Sequence, residues 1–228
     1  MNPSEPCVVC GGNSFTQHSV LWPSLVAEWQ LAAHEADVVE RQQGFTCDRC
    51  GSNLWAMALC RGILQAVGAS PPLSTYVAGH PRLRVLDVNG APGVSTYLEQ
   101  LPDYTRADYP AVDLHELTYT DGAFDLVLHS DTLEHLERPL RALEECRRVL
   151  APTGRLCFTV PIIIGRLTRS RAGLAPSYHG NSAQNSTDLL VHTEFGADVW
   201  GYVLQAGFAN MTFCAMADRT TTAIIAWN

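Results

Sequence analysis

Two Cys-x-x-Cys pairs are the residues of this 228-residue chain whose type and spacing best suit chemistry: Cys7-Val8-Val9-Cys10 and Cys47-Asp48-Arg49-Cys50. Each pair runs into glycine, Gly11-Gly12 after the first and Gly51 after the second. Glycine accepts the tight turn that aims backbone N–H groups at thiolate sulfur. Four soft thiolates suit a closed tetrahedral Zn2+ site, which stabilises a fold and leaves no open position for catalysis. Cys7, Cys10, Cys47 and Cys50 are therefore candidate ligands of a structural zinc ion. Four reduced thiols in a small core, or a redox pair, are the competing readings, and the 36-residue insert between the pairs is long for a knuckle.

A second group of chemistry-bearing residues follows short apolar runs. Asp87-Val88-Asn89-Gly90-Ala91-Pro92-Gly93 closes the first of these runs, and Asp108 closes the second. A Gly-containing turn after a strand lets backbone approach a ligand closely, and a carboxylate at the next strand end can accept hydrogen bonds from ribose hydroxyls. His129, Ser130 and Asp131 end a third run, and His129 is the first candidate for a general base because an unperturbed His titrates near neutrality. Farther on, Tyr178, His179, His192 and Glu194 offer a base or substrate hydrogen bonds, while Arg166, Arg169 and Arg171 suit an anionic substrate group.

The elements that must position these residues change character along the chain. Residues 25–39 carry apolar side chains at helical spacing, which predicts one amphipathic helix, and 54–67 predict another, ended by Gly68. Pro71-Pro72 and Gly79-His80-Pro81 punctuate a linker. From Arg82 onward, strands alternate with helices. Strands are expected at 83–88, 105–108, 124–129 and 155–160, with helices at 94–101, 139–150 and 197–206. Runs 209–216 and 221–227 flank a turn and predict a closing hairpin. The expected fold is an α/β Rossmann-like doubly wound sheet, mostly parallel with a C-terminal antiparallel hairpin, beside a small N-terminal zinc-binding module. The expected division is a module at 1–67, a linker at 68–81 and a catalytic domain at 82–228. A long connection after residue 160 is expected to form a lid.

Composition limits the partners. All fifteen basic residues are Arg, against twenty-three acidic ones, for a net charge of −8, which argues against a nucleic-acid backbone or an anionic membrane as main partner. The longest apolar run, 156–164, is too short to span a bilayer, and the N-terminus lacks the basic and apolar stretches of an export signal. A cytoplasmic location with reduced thiols is the expectation. Cys60, Cys146, Cys157 and Cys214, together with the five Trp, read as packing residues.

Residues from about 83 to 227 resemble the class I S-adenosylmethionine (SAM)-dependent methyltransferases. Val85 to Gly93 stand where that family writes its Gly-rich SAM turn, with Asn89 and Ala91 replacing two of the glycines. Asn tolerates positive φ, and Ala fits where φ is negative. Phe124-Asp125-Leu126-Val127-Leu128-His129-Ser130 resembles the strand passing under the cofactor, Leu133-Glu134-His135 the segment after it, and Arg148 to Gly154 the family's "RVLKPGG" turn. The resemblance implies that Asp87, Asn89, Gly90 and Gly93 line the cofactor turn and that Asp108 holds ribose. It likewise implies that Asp113 meets the adenine amino group beside Leu114, and that His129 and Ser130 lie near the methyl. The stretch from Trp29 to Gly51, joined to such a domain, is similar to bacterial zinc-knuckle methyltransferase-domain proteins.

The expected cofactors are thus SAM and a structural Zn2+, and the expected partner is a small-molecule acceptor such as a sugar or biosynthetic intermediate. RNA methylation and a non-catalytic scaffold are the alternatives, and a homodimer formed across the zinc module stays open.

Overall fold

The computed structural model describes residues 5–178, 187–216 and 220–228. Its centre is a six-stranded sheet built from β3 (Val85–Val88), β4 (Tyr104–Ala107), β5 (Phe124–Ser130), β6 (Leu150–Thr159), β10 (Asn210–Ala215) and β11 (Thr222–Trp227), in the order β10-β11-β6-β5-β3-β4. Strands β4, β3, β5 and β6 run parallel, and β11 lies antiparallel to both β6 and β10. Successive side chains of each strand enter opposite layers. Val85, Leu126, Leu128, Cys157 and Ile225 pack into one layer, while Leu86, Val127, Leu156, Phe158 and Ile224 pack into the other. The sheet is thus covered on both faces, as the near-continuous apolar strands require.

Helix α3 (Leu54–Ala66) and α5 (Val94–Leu98) lie in the first layer; α6 (Pro139–Val149) and α7 (Trp200–Gln205) lie in the second. Pro139 opens α6, where its missing N–H interrupts no intrahelical bond. Helix α3 is capped at its start by Asn53, whose side chain accepts the Ala56 N–H at 2.9 Å. It ends at Gly68 with φ +68°, and the Gly68 N–H to Gln65 and Ala69 N–H to Leu64 bonds close a Schellman motif. Ten of its thirteen residues are buried. A helix that apolar cannot sit at the edge of a small module, so it packs against the sheet.

This packing removes the expected separation at 68–81. That segment contains a further helix, α4 (Leu73–Ala78), whose Leu73 and Val77 are buried in the same cluster as Cys7, Cys10 and Cys47 and the sheet residues Val85 and Ile225. The N-terminal module and the sheet share one core.

The single helix expected over 25–39 is two: α1 (Pro23–Glu28) and α2 (Ala33–Gly44). Gln30 takes φ +51°, with Gln30 N–H bonded to Ala27 O and Leu31 N–H to Val26 O, a Schellman break without glycine. The Arg166 guanidinium, far along the chain, accounts for the break by donating to Trp29 O at 3.0 Å and Gln30 O at 2.7 Å. The same group pairs with Glu35 at 2.6 Å. Arg166→Met is therefore expected to cost about 2–3 kcal/mol through lost charge-assisted hydrogen bonds. Urea unfolding measures this, and an unchanged midpoint would show that α1 and α2 dock by other means.

The connection after β6 holds more regular structure than a loop. Strands β7 (Ile162–Ile163), β8 (Arg169–Ser170) and β9 (Thr193–Gly196) form a small sheet in the order β7-β9-β8. In the N-terminal module, β1 (Phe15–Gln17) pairs antiparallel with β2 (Phe45–Cys47), and Phe15 stacks on Phe45 with centroids 5.1 Å apart. Cys60, Cys146, Cys157 and Cys214 are buried, as expected of packing residues, but Trp200 is half-exposed. Among the described residues, no helix is long and apolar enough to cross a membrane.

Candidate functional site

The turn after β3 lies at the carboxyl end of the parallel strands, where open α/β sheets bind ligands. Asn89 holds φ +59°, and its Oδ1 accepts the Tyr109 N–H at 2.9 Å. Gly90 follows at φ +69°; a Cβ there would fall 2.0 Å from Arg106 Nη1. Ala91 keeps out of the positive-φ region and donates its N–H to Ser95 Oγ at 2.8 Å. Both departures from the glycine pattern therefore suit the backbone they occupy.

Asp87 is fully buried and accepts the Tyr104 hydroxyl at 2.8 Å, with Arg106 Nη1 at 3.8 Å. Burial pushes its carboxyl above the usual carboxylate range against these hydrogen bonds. Asp108, half-exposed, accepts Arg106 Nε at 2.6 Å. Arg106 thus lies over Gly90 and bridges the two acids, so any ligand group reaching Asp108 must share it with this guanidinium or displace it. Asp113 Oδ1 accepts the His115 N–H at 2.8 Å and lies 2.8 Å from His115 Nδ1. Partial burial raises the Asp113 carboxyl, but the His115 hydrogen bonds outweigh it and hold the group below its ordinary range. Leu114 beside it is buried. The segment is anchored from behind: Arg148 donates to Leu117 O at 2.7 Å and Tyr119 O at 2.8 Å, and Glu145 accepts the Leu117 N–H at 2.9 Å.

The four knuckle cysteines converge. Their Sγ atoms all lie within 4.8 Å of one another, with Cys7 to Cys50 at 3.8 Å and Cys10 to Cys47 at 3.6 Å. All four are free thiols. Zn–S bonds of about 2.3 Å give a tetrahedron with edges of about 3.8 Å, so the donor set and its spacing fit zinc. The Gly12 N–H donates to Cys10 Sγ at 3.3 Å, as a thiolate ligand requires.

Beyond β5 and β6, Ser130 Oγ meets Thr159 Oγ1 at 2.7 Å and donates to Asp131 Oδ2 at 3.1 Å, with Asp131 held at φ +47°. A crevice opens past this cluster, lined by Glu134, Pro161, Ile162, Val191 and Phe195 and walled by Trp29 of the N-terminal module. Trp29 Nε1 donates to Ser177 Oγ at 2.7 Å, which ties the end of α1 to the connection after β6. Burial pushes the Glu134 carboxyl upward, opposed by His135, whose Nε2 lies 3.7 Å away.

Comparison with known proteins addresses the same stretch of chain. Residues 67–158 match the family described as "Methyltransferase domain". A probable S-adenosylmethionine-dependent methyltransferase of Mycolicibacterium smegmatis is 31% identical over 125 residues, covering 50% of this chain and 48% of that protein. A similarly named protein of Mycobacterium tuberculosis is 27% identical over 125 residues, covering 53% of this chain and 41% of its own length. Residues 67–158 are thus similar to a methyltransferase domain, and the curated relatives that match are named as probable SAM-dependent methyltransferases. The chain spans less than half the length of these curated relatives. Among solved structures, 1,6-didemethyltoxoflavin-N1-methyltransferase of Burkholderia thailandensis, with S-adenosylhomocysteine bound, aligns at 14% identity and TM-score 0.40, covering 93% of this chain and 92% of that one.

Several residues singled out from the sequence stand elsewhere than expected. His129 is fully buried, stacks on Phe158 with centroids 4.9 Å apart, and has no hydrogen bond at either ring nitrogen among the described residues. Burial pushes its pKa down to about 3. It packs with Phe158 into the layer shared with α6, and that burial argues against its assignment as a base or cofactor contact. The Arg trio is likewise not available for an anionic substrate, because Arg166 is committed to Glu35 and the α1 carbonyls while Arg169 and Arg171 both pair with Glu194. Those pairings also remove Glu194 as a base.

His192 is half-buried and lines a different recess with Arg171 and Glu137; its N–H donates to Glu134 O at 2.7 Å. Tyr178, partly buried, bridges to Leu190. His179 lies outside the described residues. Glu134 carries one sequence signal, its place in the Leu133-Glu134-His135 segment after β5, and nothing local in the sequence marks Trp29 as a wall of the crevice.

Proposed function

We propose that this chain transfers a methyl group from SAM to a small-molecule acceptor and that Cys7, Cys10, Cys47 and Cys50 hold a structural zinc ion. The crevice between Glu134 and Trp29 carries the acceptor reading. It opens at the same end of the sheet as the cofactor turn and is lined mostly by apolar side chains, with room, at about 30 Å³, for only part of a compact acceptor. RNA fits less well, because the chain has no Lys and a net charge of −8.

SAM supplies an already activated methyl group, so the protein's task is to hold it and an acceptor in line and to remove a proton where the nucleophile needs it. The turn from Asn89 to Gly93 approaches the cofactor, Asp108 receives the ribose hydroxyls and Asp113 the adenine amino group, with Leu114 packed behind. Ser130 and Asp131 face the reacting end. Glu134, at the floor of the crevice, is placed to accept a proton or a hydrogen bond from a hydroxyl or amine acceptor.

Calorimetric titration with S-adenosylhomocysteine tests the cofactor half. Micromolar binding is expected, with Asp113→Ala weakening it about tenfold or more through loss of a charged hydrogen-bond acceptor. No binding by folded, zinc-loaded protein would transfer the reading to a non-catalytic scaffold. Methyl transfer from labelled SAM, screened over small apolar phenols and amines beside RNA, tests the acceptor half. Activity on RNA alone would overturn it.

A further inference from the structure

The second cysteine knuckle touches the cofactor turn. Ser52, fully buried, follows the knuckle by two residues; its Oγ donates to Pro92 O at 2.9 Å and lies 3.3 Å from Cys50 Sγ. The backbones are equally close. A Cβ on Gly93, at φ +72°, would fall 2.3 Å from Ser52 Oγ and 2.6 Å from Cys50 O. Gly93 must be glycine here because the knuckle lies against it as well as for its backbone conformation. The segment bearing Ser52 is fixed at both ends: Cys47 N–H donates to Ser52 O at 2.9 Å, and Asn53 caps α3.

We propose that Ser52 is a positioning residue that couples the four-cysteine metal site to the SAM turn, so that zinc occupancy sets cofactor affinity. This rests on the reading that SAM binds at residues 89–93. Zinc fixes where Cys50 sits, Cys50 and Ser52 fix the Pro92 carbonyl and Gly93, and those residues set the path of the turn that must meet the cofactor. Without the metal the knuckle loses its anchor and the turn loses its support. Linkage makes the effect reciprocal, because a metal that tightens SAM binding by some factor is itself held more tightly by that factor when SAM is bound.

The test uses zinc-loaded full-length protein and S-adenosylhomocysteine as probe, with Ser52→Ala and Ser52→Thr beside the wild type. Ser52→Ala is expected to keep its zinc and its melting temperature to within a few degrees yet bind the probe about tenfold more weakly, within the usual range for such coupling. Ser52→Thr, which keeps the hydroxyl, is expected to regain most of that loss. Saturating probe should slow zinc extraction by a chromogenic chelator about tenfold in the wild type and hardly at all in Ser52→Ala. The extraction arm needs no folded metal-free protein. Wild-type affinity in Ser52→Ala, or equal protection of zinc in both proteins, overturns the coupling while leaving SAM binding intact. Absence of binding in the zinc-loaded wild type overturns the reading beneath it.

Discussion

Cys47→Ser protein is expected to leave purification without zinc, where the wild type carries about one ion per chain, and to melt roughly 10 °C or more below it. Cys47 is 1% exposed, its Sγ lies 3.6 Å from Cys10 Sγ, and its carbonyl accepts the Gly51 N–H at 2.8 Å. Serine cannot replace a thiolate toward zinc, and a three-ligand remnant is a poor closed site. Zinc-finger peptides owe about 10–16 kcal/mol of apparent folding free energy to their metal. A loss of only about 3–5 kcal/mol here, at about 2–4 °C per kcal/mol for a chain of this size, gives that fall. The damage should extend past the module, because the cluster containing Cys7, Cys10 and Cys47 also contains Leu59, Val85 and Ile225. A single melting transition, lowered as a whole, is therefore expected instead of a separate early one. Metal analysis and a thermal melt decide it; full zinc content in the variant would dismiss Cys47 as a ligand.

That shared core marks where sequence reading reached and where it stopped. The sheet was legible because β3 and β5 are short apolar runs closed by chemistry-bearing residues, and α3 because an apolar thirteen-residue run ends at Gly68. Local signals carry such elements. The break between α1 and α2 was not legible, since its causes are Gln30 in a left-handed conformation and carbonyls captured by Arg166 136 residues downstream.

Ion pairs behave in the same way. Arg169 and Arg171 look free in the sequence and are consumed by Glu194, 25 and 23 residues away. His129 was misplaced for a different reason. A strand buried on both faces shows no polar alternation, so nothing local told which layer its side chain entered. Ser52 gave no signal at all, because the contact that matters joins residues 40 apart across two elements.

The buried His129 makes the fold acid-sensitive. Its pKa is pushed down to about 3 by burial, while in the unfolded chain it returns to its ordinary value of about 6.5. Between those values the unfolded state binds the extra proton and the native state does not, so acid favours unfolding. The stability that neutral His129 leaves intact is fully present above pH 6.5 and falls by about 1.4 kcal/mol for each pH unit below it, a loss of roughly 2–3 kcal/mol by pH 4.5. Carboxylates held below their ordinary range, Glu145 and Asp125 among them, begin to add losses only once pH falls to that ordinary range, at the acid end of this window and below. His129→Phe isolates the histidine's share. The new ring keeps the stacking against Phe158, removes two buried nitrogens that have no hydrogen bond among the described residues, and cannot bind a proton. The variant is expected to match or exceed wild-type stability at pH 7.5, where burying an unsatisfied imidazole costs and burying phenylalanine does not. Between pH 6.5 and 4.5 its urea midpoint should fall less steeply than the wild type's, by an amount equal to the missing proton. It should also bind S-adenosylhomocysteine with wild-type affinity. Parallel pH profiles of the two proteins would mean that His129 titrates normally in the folded state, and a loss of cofactor binding would return it to the cofactor site.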